Sequence, residues 1–145
     1  MSAIVVEIAE AVADALNGAS LSLPFTVERA CVPVYEETDS DLRVYVTPKP
    51  AVVVRPLARG SAMYQYTVWV SIHKRCGRDN AETDPLMMLS QEISDLFVMK
   101  PLTGCPEAKN VPIEDHVPFI ASVLDDKGVF VAVLPFTYEV ARDLS

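Results

Sequence analysis

The stretch Met63-Tyr64-Gln65-Tyr66-Thr67-Val68-Trp69-Val70-Ser71-Ile72-His73-Lys74-Arg75 decides the fold. In an extended chain Tyr64, Tyr66, Val68, Val70 and Ile72 fall on one side, and Gln65, Thr67, Ser71 and His73 on the other. Strict alternation over that length predicts a strand with one buried and one wetter face, the usual antiparallel pattern. Trp69 stands among the polar set. Two readings of it stay open: packing beneath a helix or a long loop, or contact with another subunit, since aromatic residues are enriched at interfaces.

Upstream, Ile4, Ile8, Val12 and Leu16, with Val5, Ala9 and Ala13 beside them, repeat at helical spacing. Ser2 is positioned to cap this helix, and Gly18 follows its last residue, Asn17. Glu7, Glu10 and Asp14 line another face, read as solvent-facing. After Pro24 the run Phe25–Pro33 reads as a strand, Val34–Asp41 as an acidic loop, and Leu42–Val46 as a second strand. Pro48 and Pro50 break that strand before Ala51–Leu57. Arg59-Gly60-Ser61 is a turn.

Downstream, either Asn80 or Asp84 caps a second helix, whose buried face is Leu86, Leu89, Ile93, Leu96 and Phe97 and which Pro101 ends. The segment Pro101–Pro118 holds four prolines and little periodicity, and reads as a long loop of the kind that is either functional or disordered. A hairpin closes the chain: Phe119–Leu124, a turn at Asp125-Asp126-Lys127-Gly128, and Val129–Val140. The order α-β-β-β-β-α-β-β predicts a single α+β domain spanning residues 1–145. Its sheet is expected to be mixed or mainly antiparallel, with both amphipathic helices packed on one face.

Composition narrows the function classes. At 145 residues the chain is long enough to bury a core without metals or disulfides. A net charge of −8 argues against nucleic-acid binding, which needs clustered Lys and Arg; Lys74, Arg75 and Arg78 read as a solvated strand end. No run approaches the roughly 20 apolar residues that span a bilayer. The first residues lack the basic start of a signal peptide, and the odd set Cys31, Cys76 and Cys105 reads as reduced thiols, so a cytoplasmic origin is expected.

Chemistry-bearing motifs are sparse. Five glycines form neither GxGxxG nor a P-loop. His73 and Cys76, with Cys105 and His116, have zinc-donor chemistry but no paired-knuckle spacing. Cys105 with His116 as base is the best nucleophile pair, without an oxyanion-hole signature. Carboxylate pairs at Asp39 and Asp41, or Glu114 and Asp115, lie in acidic loops. The expectation is no catalytic residue, no cofactor and no metal: a structural protein rather than an enzyme.

Taken together, the helix Ser2-Ala3-Ile4-Val5…Ile8-Ala9-Glu10-Ala11-Val12, then Pro24-Phe25-Thr26, Asp39-x-Asp41-Leu42-Arg43-Val44-x-Val46-x-Pro48, the turn at Arg59-Gly60, Tyr64-x-Tyr66-x-Val68-x-Val70 and Asp79-Asn80-Ala81-Glu82 resemble a family of small structural proteins of tailed bacteriophages, the tail-terminator and tail-completion proteins. The resemblance covers most of the chain but rests on diffuse pattern. It implies an α+β subunit that forms a hexameric ring on the head-proximal end of a tail tube. Such a ring stops tube polymerisation and joins the tail to the head connector or stopper protein, with DNA passing only as cargo and no membrane involved. The expected location is the virion neck, after assembly in the host cytoplasm. The family supplies no catalytic residues. It marks no interface residues either; from the residues themselves, contacts are expected at the acidic loop (Glu36, Glu37, Asp39, Asp41), the turn at Arg59, Trp69, and the loop residues Glu107 and Lys109. Two other readings are a different neck component, such as a head-completion protein, and a soluble small-molecule- or protein-binding module.

Overall fold

In a computed structural model the chain is described for residues 3–31, 41–49, 52–77, 79–111, 116 and 128–144. The elements are α1 (Ile4–Gly18), β1 (Thr26–Arg29), β2 (Arg43–Pro48), β3 (Val53–Pro56), β4 (Ser61–Arg75), α2 (Asn80–Phe97), β5 (Lys109–Val111) and β6 (Val129–Asp143). They form a mixed, mostly antiparallel six-stranded sheet with two helices, an α+β fold. The strand order is β1-β2-β4-β6-β5, and β3 pairs with β4 on the same edge as β2.

The centre of the sheet is β4 against β6. Every residue of β4 from Ser61 to Arg75 faces one of β6 from Asp143 to Val129. Gly128, at φ +65°, starts β6 in a left-handed conformation that costs glycine nothing, and its carbonyl accepts from the Cys76 amide at 3.0 Å. At the opposite end Gly60 (φ +81°) closes the β3–β4 turn. Pro135 lies inside β6, opposite Trp69 of β4 and two residues before the stretch that pairs with β5.

One face of the sheet carries the core. Val44 and Val46 of β2, Tyr66, Val68, Val70 and Ile72 of β4, and Phe130, Ala132, Leu134, Phe136 and Tyr138 of β6 share a parity and are buried in one cluster with both helices. From α1 the cluster takes Ile8, Ala9, Val12 and Leu16; from α2 it takes Leu86, Leu89, Ile93 and Phe97. The Phe97 and Phe136 rings meet at 5.1 Å. Both helices therefore lie on the same face, the arrangement expected of two amphipathic helices that each need a surface to cover. Burying a large aliphatic or aromatic side chain stabilises by about 1.5–3 kcal/mol, so this cluster dominates the folding energy.

The other face departs from expectation. Alternation predicts a wetter surface, yet Tyr45, Thr47, Thr67, Ser71, His73, Val131 and Thr137 are all buried. Alternation records polarity, whereas exposure depends on what the tertiary structure places over a face. Polar groups that lose water need partners. Thr67 and Thr137, register partners on β4 and β6, share a hydroxyl–hydroxyl bond of 2.8 Å.

Helix starts also differ. Ala3 occupies the cap position of α1 with no side-chain bond, and Ser2 lies outside the described residues. α2 begins one residue after Asp79, so neither Asn80 nor Asp84 caps it. The Asp79 carbonyl accepts from the Glu82 and Thr83 amides at 2.9 and 3.0 Å, and the Glu82 carboxylate reaches back to the Gly77 amide at 2.7 Å. Those bonds start the helix a turn before Pro85, which becomes an interior residue.

The proline-rich segment after α2 is no simple loop in its described part. Leu102, Cys105 and Ala108 are buried, and a Cβ on Gly104 would stand 3.2 Å from that of Ala11, so the turn is seated on α1. Lys109–Val111 then pairs with β6 as an edge strand that sequence periodicity does not reveal. The first strand expected of the closing hairpin, Phe119–Leu124, lies outside the described residues, as does most of its turn. Asn110 ties the segment together: its Oδ1 accepts from the Met99 amide at 2.7 Å and its Nδ2 donates to the Thr137 carbonyl at 3.3 Å. Met99 is held at φ +56°, a conformation costly for a side-chain-bearing residue, and the Asn110 bond is what offsets it. Asn110→Ala is expected to lower unfolding free energy by about 1–3 kcal/mol. Asn110→Asp, which keeps the acceptor but loses the donor, should fall between the two in urea denaturation.

Candidate interaction surface

Exposed apolar side chains gather where β3 meets the β3–β4 turn. Val53, Val54 and Leu57 are 58%, 53% and 49% exposed, and Val52 precedes them at 38%. Val53 and Val54 point to opposite sides of the strand, so neither side of β3 is covered. The strand is nevertheless well built: Val53, Val54, Arg55 and Pro56 face Gln65, Tyr64, Met63 and Ala62. Ala58 and Ser61 exchange bonds across the turn, the Ala58 amide donating to Ser61 Oγ and the Ser61 amide to the Ala58 carbonyl. The Leu144 amide donates to the Gly60 carbonyl at 2.6 Å, placing a further exposed leucine at the tip. An exposed apolar edge strand is a template for association, and proteins that do not use one blunt it with charge or cover it.

Charge at this end is basic. Arg55 and Arg59 are exposed, and the Arg142 guanidinium lies 4.6 Å over the Tyr64 ring. Glu139 is taken up by Gln65 at 2.8 Å and by Arg55 at 3.7 Å, while Asp143 sits exposed beside Ser61.

The residues expected to form contacts do not converge. Arg59 sits at the hairpin tip, as the turn reading places it. Asp41 precedes β2 at the other end of the sheet, where Arg43 faces His73. Glu36, Glu37 and Asp39 lie outside the described residues. Trp69 is half-buried between Thr47 and Pro135 on the face away from both helices, so it does not pack beneath a helix. Glu107 is exposed and accepts from the Cys105 thiol at 3.4 Å, and Lys109 opens β5 opposite Glu139. The valines of β3 carry a signal sequence reasoning passed over: Val52-Val53-Val54 offers no polar face, which a half-buried edge strand ordinarily has.

Other clusters have less to offer chemically. Among the described residues the metal-donor group is Glu7, Cys105 and Glu107, not the His73, Cys76, Cys105 and His116 set considered from sequence. Burial first, then the Glu107 bond and charge, push the Cys105 thiol up to about 11, so it stays protonated at neutral pH, the reverse of an activated nucleophile. His116 does not serve it: its Nδ1 bonds Ser94 Oγ at 2.9 Å, and its ring packs edge-on to Phe136. Met87, Ser90, Gln91, Ser94, His116 and Leu134 line a cavity of about 380 Å³, within the range of small-molecule sites.

His73 is buried with its ring 4.7 Å from that of Tyr45, and desolvation lowers its pKa to about 4. A histidine held neutral in the fold and protonated near pH 6.5 when unfolded costs nothing above that value. Stability is then lost as pH falls from about 6.5 towards 4, below which the loss levels off. The full loss should be on the order of 3 kcal/mol. Urea midpoints at pH 7, 5.5 and 4.5 are expected to show it, and His73→Phe, which keeps the ring contact, should flatten the profile. The thiols give a second check. Exposed Cys31 should alkylate fastest, Cys76 more slowly, and buried Cys105 only on unfolding, read by mass spectrometry of the native protein.

Compared with known proteins, the chain matches no family model and no curated relative. No helix among the described residues is long and apolar enough to cross a membrane.

Proposed function

We propose that this chain is a ring-forming structural subunit of the phage tail neck, a tail terminator that caps the head-proximal end of the tube. The observation that carries the reading is β3: an ordered edge strand with valines exposed on both sides, at one end of an otherwise well-filled sheet. An isolated protein gains nothing from such a strand, and a subunit of an assembly gains a contact. The sequence resemblance supplies the kind of assembly. A ring needs two different patches per subunit, meeting head to tail and closing by rotation. On this reading the partners are further copies of the chain, the tube protein on one side and the connector or stopper on the other. DNA passes through the lumen, which the chain's net negative charge keeps from sticking.

A second reading, a small-molecule-binding module, is favoured by the cavity around Ser94 and His116. Its few polar groups converge on a mostly apolar pocket of suitable size. A single ligand that raises the melting temperature of a monomeric protein, with the effect lost in Ser94→Ala, would move this reading to the front.

The ring reading is tested by negative-stain electron microscopy over a concentration series, with mass measured alongside. Six-fold rings, or caps on the ends of added tail tubes, are the expected result. Monomers at every concentration that ignore tubes would overturn it, and rings that leave tubes uncapped would shift the assignment to another neck component.

A further inference from the structure

The central strands and the two helices carry opposite charge. From Leu42 to Gly77, spanning β2, β3 and β4, the charged residues are Arg43, Lys49, Arg55, Arg59, Lys74 and Arg75, with no acidic residue among them. The helices are the reverse. α1 has Glu7, Glu10 and Asp14, and α2 has Glu82, Asp84, Glu92 and Asp95, with no lysine or arginine in either. Several of these charges are used internally: Glu10 binds Arg29 at 2.7 Å, Glu82 binds the Gly77 amide, and Glu92 binds Ser22. Asp84 and Asp95 stand exposed on α2, and between them lies Met88, 54% exposed.

Residues 84, 88, 91 and 95 follow one another at steps of four, three and four, which places them in one narrow stripe on the outer face of the helix. The stripe runs acid, methionine, glutamine, acid, and is about 16 Å long at 1.5 Å per residue. The exposed edge from Val53 to Leu57 is about 13 Å long at 3.3 Å per residue, with arginines at 55 and 59. Val53, Val54 and Leu57, with Arg55 among them and Arg59 just beyond, thus form an apolar and basic strip of comparable length and opposite charge to the α2 stripe, although Arg55 also lies 3.7 Å from Glu139. α1 offers no such match, because its exposed positions Glu7, Glu10, Asp14, Asn17 and Gly18 include no apolar side chain.

We propose that the β3–β4 hairpin of one copy docks along the outer stripe of α2 of a second copy, Arg55 and Arg59 meeting Asp84 and Asp95 around Met88. This deepens the ring reading and rests on it for the closure of the chain of contacts into a ring. The two patches lie on different elements, β3 against β4 and α2 over β6, so the contact is able to join copies head to tail, as a ring requires. Nucleic acid is the poorer occupant of the hairpin: Val53, Val54 and Leu57 would lie against phosphate, and the net charge of −8 repels the duplex.

Charge exchange tests the contact. Arg55→Glu with Arg59→Glu, or Asp84→Arg with Asp95→Arg, should each weaken self-association at least about tenfold, and the four together should restore it. Circular dichroism checks that each variant is folded. Undiminished assembly of the two-site variants would overturn the inference and leave the ring reading standing. A trap covers weak association. In a Cys31→Ser background, Val54→Cys protein and Met88→Cys protein of distinguishable mass are mixed and oxidised. Mixed dimers should exceed the statistical proportion. If the wild type stays monomeric but mixed dimers are in excess, the contact is supported and the ring reading falls. If mixed dimers are not in excess, the contact is overturned, whether or not rings form. Binding of duplex DNA that Arg55→Glu with Arg59→Glu abolishes, with mixed dimers at the statistical level, would overturn it in favour of nucleic acid.

Discussion

The antiparallel ladder between β4 and β6 is the constraint on which the rest of the molecule depends. It pairs fifteen residues on each side without a break, from Ser61 opposite Asp143 to Arg75 opposite Val129. One register therefore determines which side chains of both strands reach the helices. A slip of one residue would turn Tyr66, Val68, Val70 and Ile72 away from Ile8, Val12, Leu89 and Ile93. β2 and β3 attach end to end along one edge of β4, and β5 attaches to the far edge of β6. The ladder positions each exposed and buried surface by positioning these edges.

The central residues of the two sheet faces are buried for different reasons. On the helix side, apolar burial drives packing and needs no partner geometry. On the other side, buried hydroxyls and an imidazole have to be accommodated. Thr67 and Thr137 satisfy each other across the ladder, and His73 stays neutral because burial disfavours its charge. The polar face thus ties conformation to pH, while the apolar face supplies the bulk of the stability.

Function, on the reading advanced above, belongs to the edge rather than to either face. β2 lies in the middle of the fold between β1 and β4 and is almost wholly buried. β3 extends along the same edge of β4 beyond that shelter, and nothing in its sequence blunts it except Arg55 and Pro56. The acidic helices and the basic strands give the molecule two unlike surfaces. Unlike surfaces favour head-to-tail contacts over symmetric ones.

Several elements were legible because they depend on local periodicity. The alternation of Met63–Arg75 and the Ile4, Ile8, Val12, Leu16 stripe report strand and helix through side-chain spacing alone. Gly60 and Gly128 mark turns through the positive φ that glycine adopts freely. The strand Lys109–Val111 was hidden, since three residues carry no period and only their pairing with β6 makes them a strand. The start of α2 was displaced because Glu82 bonds Gly77, a contact between side chain and backbone that no spacing rule encodes. Composition and local pattern by themselves determined an acidic α+β chain, its two amphipathic helices, its central strand and its turns, because these follow from intrinsic backbone preference and side-chain period. Only the tertiary structure decided that the polar face of that strand is buried, that Cys105 and His116 have separate partners, and that Val53 and Val54 remain outside. Those outcomes depend on which distant segments come to rest over a given surface, and burial is a property of that arrangement rather than of any residue.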